Sequence, residues 1–374
     1  MKRVSVLFGY LSGSFATYIL TPKLHLFMEL RDFNEEHSVE HLATIGDFTV
    51  YRTDSSDYLT TLSYLYDIEE EQTYTVGEQN FVVVPESSSS VPWHLSRVTQ
   101  RDLPLSGTFS YPSCHKNKEV DIHSYVIDTG IDVTHPEFEG RAEWLADFTG
   151  DSQESLNSHA THCAGIIGSK TFGACKDAKI FSVRVLDSQG SGSTSGVIAG
   201  IQYTFKRHQE QNEASGGKTR SIASVSLGGG FSLALNRVVE ATLKDPHFYF
   251  AAAAGNEDSD ACKTSPASAK GIFSVAASDR YDTRAYFSNF GKCTDIYAPG
   301  VNIASTVPGG KTAVFSGTSM SCPGLVSILN HYVDQYPELN NKQLKEKVLS
   351  DSTKDHITKN PNRTNNFLVY LHRD

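Results

Sequence analysis

HSYVIDTG, residues 123–130, is an apolar run that ends at Asp128 and is followed by a turn glycine. Such a run predicts a buried parallel strand that carries its last side chain to the carboxyl edge of a sheet, where open α/β sheets place their sites. An aspartate in this setting more often serves only as the cap of the next turn or helix. Asp128 by itself therefore identifies no function.

NSHATHCAG, residues 157–165, has a polar start and then small residues, which predicts a helix with His159 in its first turn. His162 lies three residues later on the same face, so the two could also be read as metal ligands. The HExxH spacing is absent, and no acidic third ligand stands at a recognisable distance. We interpret His159 as a candidate base and His162 as a core histidine.

SGTSMSCP, residues 316–323, allows a sharp strand-to-helix turn at its glycine. A helix that begins near Ser319 would aim backbone N–H groups and its positive end at the Ser319 hydroxyl. The alternative is an ordinary serine or threonine helix cap.

FYFAAAAGNE, residues 248–257, reads as a small-residue strand that a substrate could approach closely, with the Asn256 amide as an oxyanion donor. A turn-forming asparagine is the alternative there.

These four segments, in this order and at these separations, resemble the subtilisin superfamily and its proteinase K-like branch. HPEFEGRA (135–142), SLGGG (226–230) and YFSNFGKC (286–293) support that branch, and the chain is most similar to the fungal vacuolar protease B, or cerevisin, group. The similarity runs from about Pro92 to Val369. It implies a serine endopeptidase of broad specificity that acts on polypeptides through an acyl-enzyme.

The resemblance assigns a role to each site residue. Ser319 is the expected nucleophile, His159 the general base and then acid, Asp128 the residue that holds the histidine tautomer, and Asn256 an oxyanion donor. The expected substrate-binding residues lie on two strand edges and a pocket wall: Gly190, Ser191, Gly192, Ser226, Leu227, Gly228, Ala253 and Gly255. No acidic cluster of the kind that a kexin-like, dibasic-specific enzyme needs is apparent, although Glu257 at the pocket rim could favour basic residues.

Apolar runs alternate with helical stretches through the same region. The runs cover 180–186, 223–227, 248–253 and 272–276, and the helical stretches cover 195–207, 233–244 and 324–335. This alternation predicts an α/β fold with a mainly parallel sheet, and the resemblance makes it a subtilisin-like three-layer sandwich preceded by a small α+β inhibitor-like propeptide.

The length of 374 residues accommodates three parts. We expect a signal peptide at 1–16, a propeptide at 17–90 that acts as chaperone and inhibitor, and a peptidase domain at 91–374, with cleavage between 84 and 91. A buried amphipathic element is the alternative for residues 1–16. The secretory pathway follows, with an extracellular or cell-surface destination, or alternatively a vacuole or lysosome-like compartment.

The formal net charge of −10 and the lack of a basic patch argue against nucleic acid as a partner. Beyond the amino terminus, no run approaches the roughly 18 apolar residues of a membrane span, and we expect a monomer without a span in its mature form. Six cysteines declare no disulfide framework in so long a chain. The resemblance implies a Cys262–Cys293 disulfide and leaves Cys114, Cys175 and Cys322 unassigned.

The resemblance implies no cofactor for catalysis, and a structural calcium ion is possible. Asp295 matches a carboxylate ligand of the proteinase K calcium site, with carbonyls expected from Lys270 and Ile272. Two positions depart from the family pattern, namely Ala160 beside the base and Gly324 in the nucleophile's helix. They leave open an alternative, a catalytically inactive subtilase that acts as a binding or coat protein.

Overall fold

The computed structural model describes residues 16–23, 34–35, 37–77, 91–110, 113–153 and 156–371. The expected signal peptide lies outside the described residues except for Ala16, and the expected cleavage window lies outside them except for Val91. No helix within these ranges is both long enough and apolar enough to cross a membrane.

Helices and strands alternate as expected through most of the described chain. The α-helices are α1 (Leu59–Leu62), α2 (Trp93–Arg97), α3 (Ser158–Gly168), α4 (Thr194–Ala214), α5 (Leu233–Thr242), α6 (Thr318–Gln335) and α7 (Asn341–Asp351). The strands are β1 (Tyr18–Pro22), β2 (Glu40–Ile45), β3 (Phe48–Thr53), β4 (Tyr66–Glu70), β5 (Thr73–Thr75), β6 (Asp121–Asp128), β7 (Ala142–Asp147), β8 (Lys179–Arg184), β9 (Ser191–Ser193), β10 (Thr219–Val225), β11 (Gly229–Gly230), β12 (Phe248–Ala253), β13 (Thr264–Ser265), β14 (Phe273–Ser278), β15 (Ile296–Pro299), β16 (Ile303–Val307), β17 (Lys311–Phe315), β18 (Thr353–Lys354) and β19 (Phe367–Leu368).

A nine-stranded sheet forms the middle layer, in the order β18-β19-β15-β14-β12-β10-β6-β8-β7. All neighbours are parallel except β18 and β19, which pair antiparallel at one edge. Strand β6 lies between β10 and β8, and its residues from 122 to 128 are all buried. A parallel strand covered on both faces reads as a near-continuous apolar run, which explains the pattern of residues 123–128.

Helices cover both faces of this sheet. Helices α3 and α6 share one apolar core with it, which includes Ala164 and Leu325, and α4 and α5 share a second, which includes Ile201 and Val238. The three-layer sandwich predicted from the sequence is therefore the observed architecture.

A separate antiparallel sheet lies at the amino-terminal end, in the order β2-β3-β1-β4. Its residues Ile19, Ala43 and Val50 belong to the same apolar core as Val197 and Ile201 of α4. The sheet thus packs on the outer face of α4 and α5. These four strands and helix α1 lie within residues 17–90, the range in which the sequence predicts a small α+β unit.

Two disulfides tie loops to this framework. Cys262 is bonded to Cys293, the pair that the resemblance implies, and Cys114 is bonded to Cys175, 61 residues later. Among the described residues, Cys163 and Cys322 are free thiols, and both are buried.

Candidate active site

Strand β6 and helix α3 bring Asp128 and His159 together. The Asn157 side chain caps α3 by accepting from the His159 N–H at 2.9 Å, which fixes the first turn. His159 Nδ1 lies 2.7 Å from Asp128 Oδ1 and 2.9 Å from Oδ2, and both side chains are fully buried. A carboxylate only accepts hydrogen bonds, so Nδ1 carries the proton and Nε2 presents a lone pair.

The serine of the third segment lies at the start of α6, which begins at Thr318 after the cap residue Gly317. The Ser319 hydroxyl donates to the Ser226 carbonyl at 3.2 Å. His159 Nε2 makes no hydrogen bond with any residue the structure describes. Cys163 lies between the His159 ring and the Ser319 backbone. Its Sγ is 4.0 Å from His159 Nδ1 and donates to the Ser319 carbonyl at 3.3 Å.

Pro323 explains why the Ser319 carbonyl accepts these bonds. Proline has no N–H, so the helical bond that residue 323 would donate to the Ser319 carbonyl cannot form. The Ser226 hydroxyl at 3.0 Å and the Cys163 thiol take its place. The Ser319 backbone is thereby fixed to the residue that follows β10 and to α3.

Asn256 is held with its amide nitrogen toward the same point. Its Oδ1 accepts from the Thr318 N–H and from the Thr318 hydroxyl, both at 2.9 Å. A Cβ placed on Gly317 would stand 3.6 Å from the Ser319 amide nitrogen and 3.7 Å from Asn256 Nδ2. Two N–H donors therefore converge beside Ser319, the arrangement that stabilises an oxyanion.

The two predicted substrate-binding edges hold an extended segment of the protein's own chain. Strand β5 pairs antiparallel with β9, so that Thr73, Tyr74 and Thr75 lie opposite Ser193, Gly192 and Ser191. On the other side, the Thr75 N–H and carbonyl exchange 3.2 Å hydrogen bonds with Gly228.

The same segment continues toward Asn256. The Val76 N–H donates to the Gly190 carbonyl at 3.0 Å, and a Cβ on Gly77 would stand 2.5 Å from Asn256 Nδ2. Tyr74 is fully buried, with its ring against Gly229. Residues 73–77 therefore occupy the cleft in the manner of a bound peptide.

The predicted pocket wall is present, together with a residue that sequence reasoning missed. Ala253 is buried at the end of β12, and Gly255 has φ +106°, a conformation that favours glycine. Asn289 Nδ2 donates to the Ala254 carbonyl at 3.0 Å and to Glu257 Oε2 at 2.7 Å. The Glu257 carboxylate is thus already hydrogen-bonded. Asn289 lies in the string YFSNFGKC, in which no local pattern indicates this role.

His162 and the buried thiols play no part as base or nucleophile. Burial lowers the pKa of His162 to about 3, and its Nε2 lies 3.1 Å and 3.2 Å from the carbonyls of Ile303 and Ala313. Burial also raises the pKa of the Cys163 thiol well above its usual value and that of Cys322 to about 12. His162 is the core histidine that the sequence indicated.

The two departures from the family pattern are accommodated without a clash. The Ala160 N–H donates to the Thr129 hydroxyl at 3.1 Å, so α3 keeps its contact with the end of β6. At Gly324 an added Cβ would meet its nearest neighbour, Ile166, only at 3.9 Å.

Residues 125–368 match the family model described as the subtilase family, Peptidase_S8. The chain belongs to the subtilase family. A solved structure described as a cold adapted subtilisin-like serine proteinase superimposes on this subtilase with a TM-score of 0.69 at 35% identity, covering 76% of this chain and 100% of that one. The subtilisin-like fold expected from the sequence is confirmed.

Curated relatives support the narrower resemblance. A subtilisin-like serine protease of Rhodotorula mucilaginosa is 44% identical to this subtilase over 298 residues, which cover 76% of this chain and 86% of that protein. Alkaline protease 2 of Aspergillus fumigatus is 41% identical over 303 residues, and cerevisin of Saccharomyces cerevisiae is 42% identical over 301 residues. Each alignment covers 76% of this chain, but only 61% and 47% of those two relatives.

Proposed function

We propose that this subtilase is a serine endopeptidase of broad specificity that is made as a self-processing zymogen. One observation carries the proposal. His159 has its Nδ1 held by the buried Asp128 carboxylate and its Nε2 unpartnered among the described residues, and the Cys163 thiol, 4.0 Å from Nδ1, donates to the Ser319 carbonyl. A fluorophosphonate probe tests it, because the processed protein should be labelled once, at Ser319.

The reaction needs one rotation of the Ser319 hydroxyl and four proton transfers, two in acylation and two in deacylation. The Ser319 hydroxyl turns from the Ser226 carbonyl to His159 Nε2 and attacks the substrate carbonyl carbon while Nε2 takes its proton. The Asp128 carboxylate stabilises the resulting imidazolium, and the oxyanion accepts from the Ser319 N–H and Asn256 Nδ2. The C–N bond then breaks as Nε2 returns the proton to the leaving amine. Water, deprotonated by the same nitrogen, attacks the acyl carbon, and Nε2 then returns that proton to the Ser319 oxygen as the acyl–oxygen bond breaks and the acid product leaves.

Substrates are held mainly through main-chain hydrogen bonds on both sides, as residues 73–77 are held by Gly228 and β9. Such bonds are available to any sequence, which supports broad specificity. Two disulfides support a route through an oxidising compartment, with either the cell exterior and surface or a vacuole-like compartment as the destination. We propose a monomer that acts on polypeptides.

Changing Asn256 to alanine should lower kcat on a peptide substrate by about 10²–10³-fold, the loss known for the corresponding donor in subtilisin. The transition state would keep only the Ser319 N–H as an oxyanion donor, while KM should change little. Asn256→Asp is the sharper comparison, because a carboxylate still accepts from Thr318 but cannot donate to the oxyanion. An aspartate variant as active as the parent would exclude this role for Asn256.

Two glutamates at the end of the amino-terminal sheet, Glu69 and Glu71, support the zymogen part of the proposal, because each caps a helix of the peptidase fold. Glu69 at the end of β4 accepts from the Ser232 hydroxyl and, at 2.9 Å, from the Leu233 N–H at the start of α5. Glu71 accepts from the Ser195 N–H in the first turn of α4 at 2.9 Å. Carboxylates at helix amino termini are stabilising, so residues from 16 to 77 are suited to promote folding of these helices and then to inhibit the enzyme.

The contacts in the cleft favour an earlier processing site than the sequence predicted. Thr75 and Val76 are hydrogen-bonded to Gly228 and Gly190, and Gly77 lies against Asn256, the proposed oxyanion donor. We expect the first cut at the Gly77–Glu78 bond, instead of between residues 84 and 91. Intact-mass analysis of dilute precursor over time should show a first product that begins at Glu78, before any further trimming.

Dilution is the control, since an intramolecular first cut keeps its rate when the precursor is diluted and later cuts between molecules slow down. A first product that begins between residues 85 and 91 would place the scissile bond in the window predicted from the sequence. Residues 73–77 would then serve to inhibit without being the site of cleavage.

A further inference from the structure

Lys345, in the middle of α7, joins two oxygen atoms beside the first residues of β14. Its Nζ lies 2.8 Å from Asp295 Oδ1 and donates to the Ile272 carbonyl. The second carboxylate oxygen, Oδ2, accepts from the Ser274 N–H at 2.9 Å. Both Lys345 and Asp295 are largely shielded, with side-chain exposures of 19% and 20%.

Asp295 and Ile272 are two of the residues that the resemblance implies as calcium ligands, and their arrangement does not fit that ion. Calcium takes six to eight oxygen ligands at about 2.3–2.6 Å. An ion that close to Asp295 Oδ1 and the Ile272 carbonyl would have to take the position of the Lys345 ammonium, because both oxygens already accept from it.

The ammonium, by contrast, suits this pair of oxygens. A lysine offers one positive charge and three N–H donors, which match one carboxylate and one carbonyl. Helix α7 aims the side chain, because a capping box between Asn340 and Gln343 fixes its first turn and Leu344 is fully buried. The Nζ also lies 5.8 Å from the centre of the Phe273 ring.

We propose that Lys345 is a built-in cation that takes the place of calcium at this site and ties α7 to the amino-terminal ends of β14 and β15. The proposal is independent of the catalytic role of Ser319. It means that the contribution of Asp295 to stability comes from its bond with Lys345 and does not depend on calcium.

A double-mutant cycle measured with and without calcium tests this. The Ser319→Ala precursor is the parent, so that proteolysis does not interfere, and Lys345→Met, Asp295→Asn and the double variant are compared with it. Each single change should lower the midpoint of thermal unfolding by roughly 3–8 °C. The unfolding midpoint of the double variant should be no lower than that of the less stable single variant, because both changes remove the same interaction.

Calcium should leave the cost of Asp295→Asn unchanged, whether the buffer holds a chelator or millimolar CaCl2. Lys342→Met is the matched control, since Lys342 is 86% exposed on the same helix and should shift the midpoint little. An Asp295→Asn cost that is larger in calcium than in chelator, or two single costs that add, would overturn the proposal. Calcium that binds elsewhere on the protein shifts the unfolding midpoints of all variants equally. It therefore changes neither the cost of Asp295→Asn nor the coupling between the two single changes.

If Lys345→Met fails to fold, Lys345→Gln provides the same cycle, because it removes the charge but keeps an N–H donor. The glutamine variant should lose part of the coupling with Asp295, and an unchanged coupling would count against a role for the charge.

Discussion

Replacing Ser319 by alanine should leave the precursor at full length and lower peptide hydrolysis by about 10⁶-fold. The reason is that, in the part of the chain that the structure describes, no other group is placed to form the acyl-enzyme, since the neighbouring thiols of Cys163 and Cys322 are buried with raised pKa values. In subtilisin, loss of the nucleophile lowers kcat by about 2 × 10⁶-fold. Gel analysis and intact mass follow processing, and a fluorophosphonate probe follows the nucleophile itself.

Ser327→Ala is the control for this change, because Ser327 is a buried serine on the same helix whose hydroxyl donates to the Gly324 carbonyl. That variant should be processed and labelled like the unaltered protein. If the unaltered precursor folds but is neither cut nor labelled, the chain is better described as an inactive subtilase that binds other proteins or forms a coat.

Asp128→Asn should lower kcat by about 10⁴-fold while the protein stays folded. An asparagine can turn its amide N–H toward His159 Nδ1, which would then accept and leave the proton on Nε2. When Nε2 of the neutral imidazole already carries a proton, it has no lone pair left to accept the proton of Ser319. The equivalent change in chymotrypsin-type peptidases costs about the same factor, for the same tautomeric reason. Steady-state kinetics on a fluorogenic peptide measure the loss.

The matched control is Glu143→Gln, a charge-neutralising change at an exposed position of the same sheet, and it should keep parental activity. Thermal unfolding shows whether each variant is folded. An Asp128→Asn enzyme within tenfold of the parent would show that the Asp128–His159 contact does not set the histidine tautomer.

Local patterns predicted β6 well. The run that ends at Asp128 is apolar because β6 is covered on both faces, and a turn glycine marks its end. The start of α6 was predicted to within one residue, near Ser319 against the observed Thr318, although the periodic helical pattern is clear only from Gly324. Pro323 interrupts the pattern, and the bonds that compensate for it come from residues distant in the sequence.

Contacts between distant residues account for most of what the sequence did not reveal. The pairing of Thr73–Thr75 with Ser191–Ser193, the Cys114–Cys175 disulfide and the Lys345–Asp295 bond each join segments whose spacing carries no periodic signal. The direction of the Ser319 hydroxyl is likewise set by a residue distant in the sequence, because it donates to the carbonyl of Ser226, which directly follows β10. Matching Asp295 and Ile272 individually to calcium ligands could not reveal that Lys345, 50 positions after Asp295, bonds to the same oxygens.

The glutamate caps and the strand in the cleft have a consequence for how inhibition ends. While residue 77 remains joined to residue 78, the amino-terminal sheet is tethered, and its local concentration is set by the linking chain. Once that bond is cut, the same contacts at Glu69, Glu71 and β5 belong to two separate molecules, and occupancy of the cleft follows mass action. In the proposed zymogen, the cut enzyme would therefore stay inhibited at high concentration, and dilution without any further signal would release it.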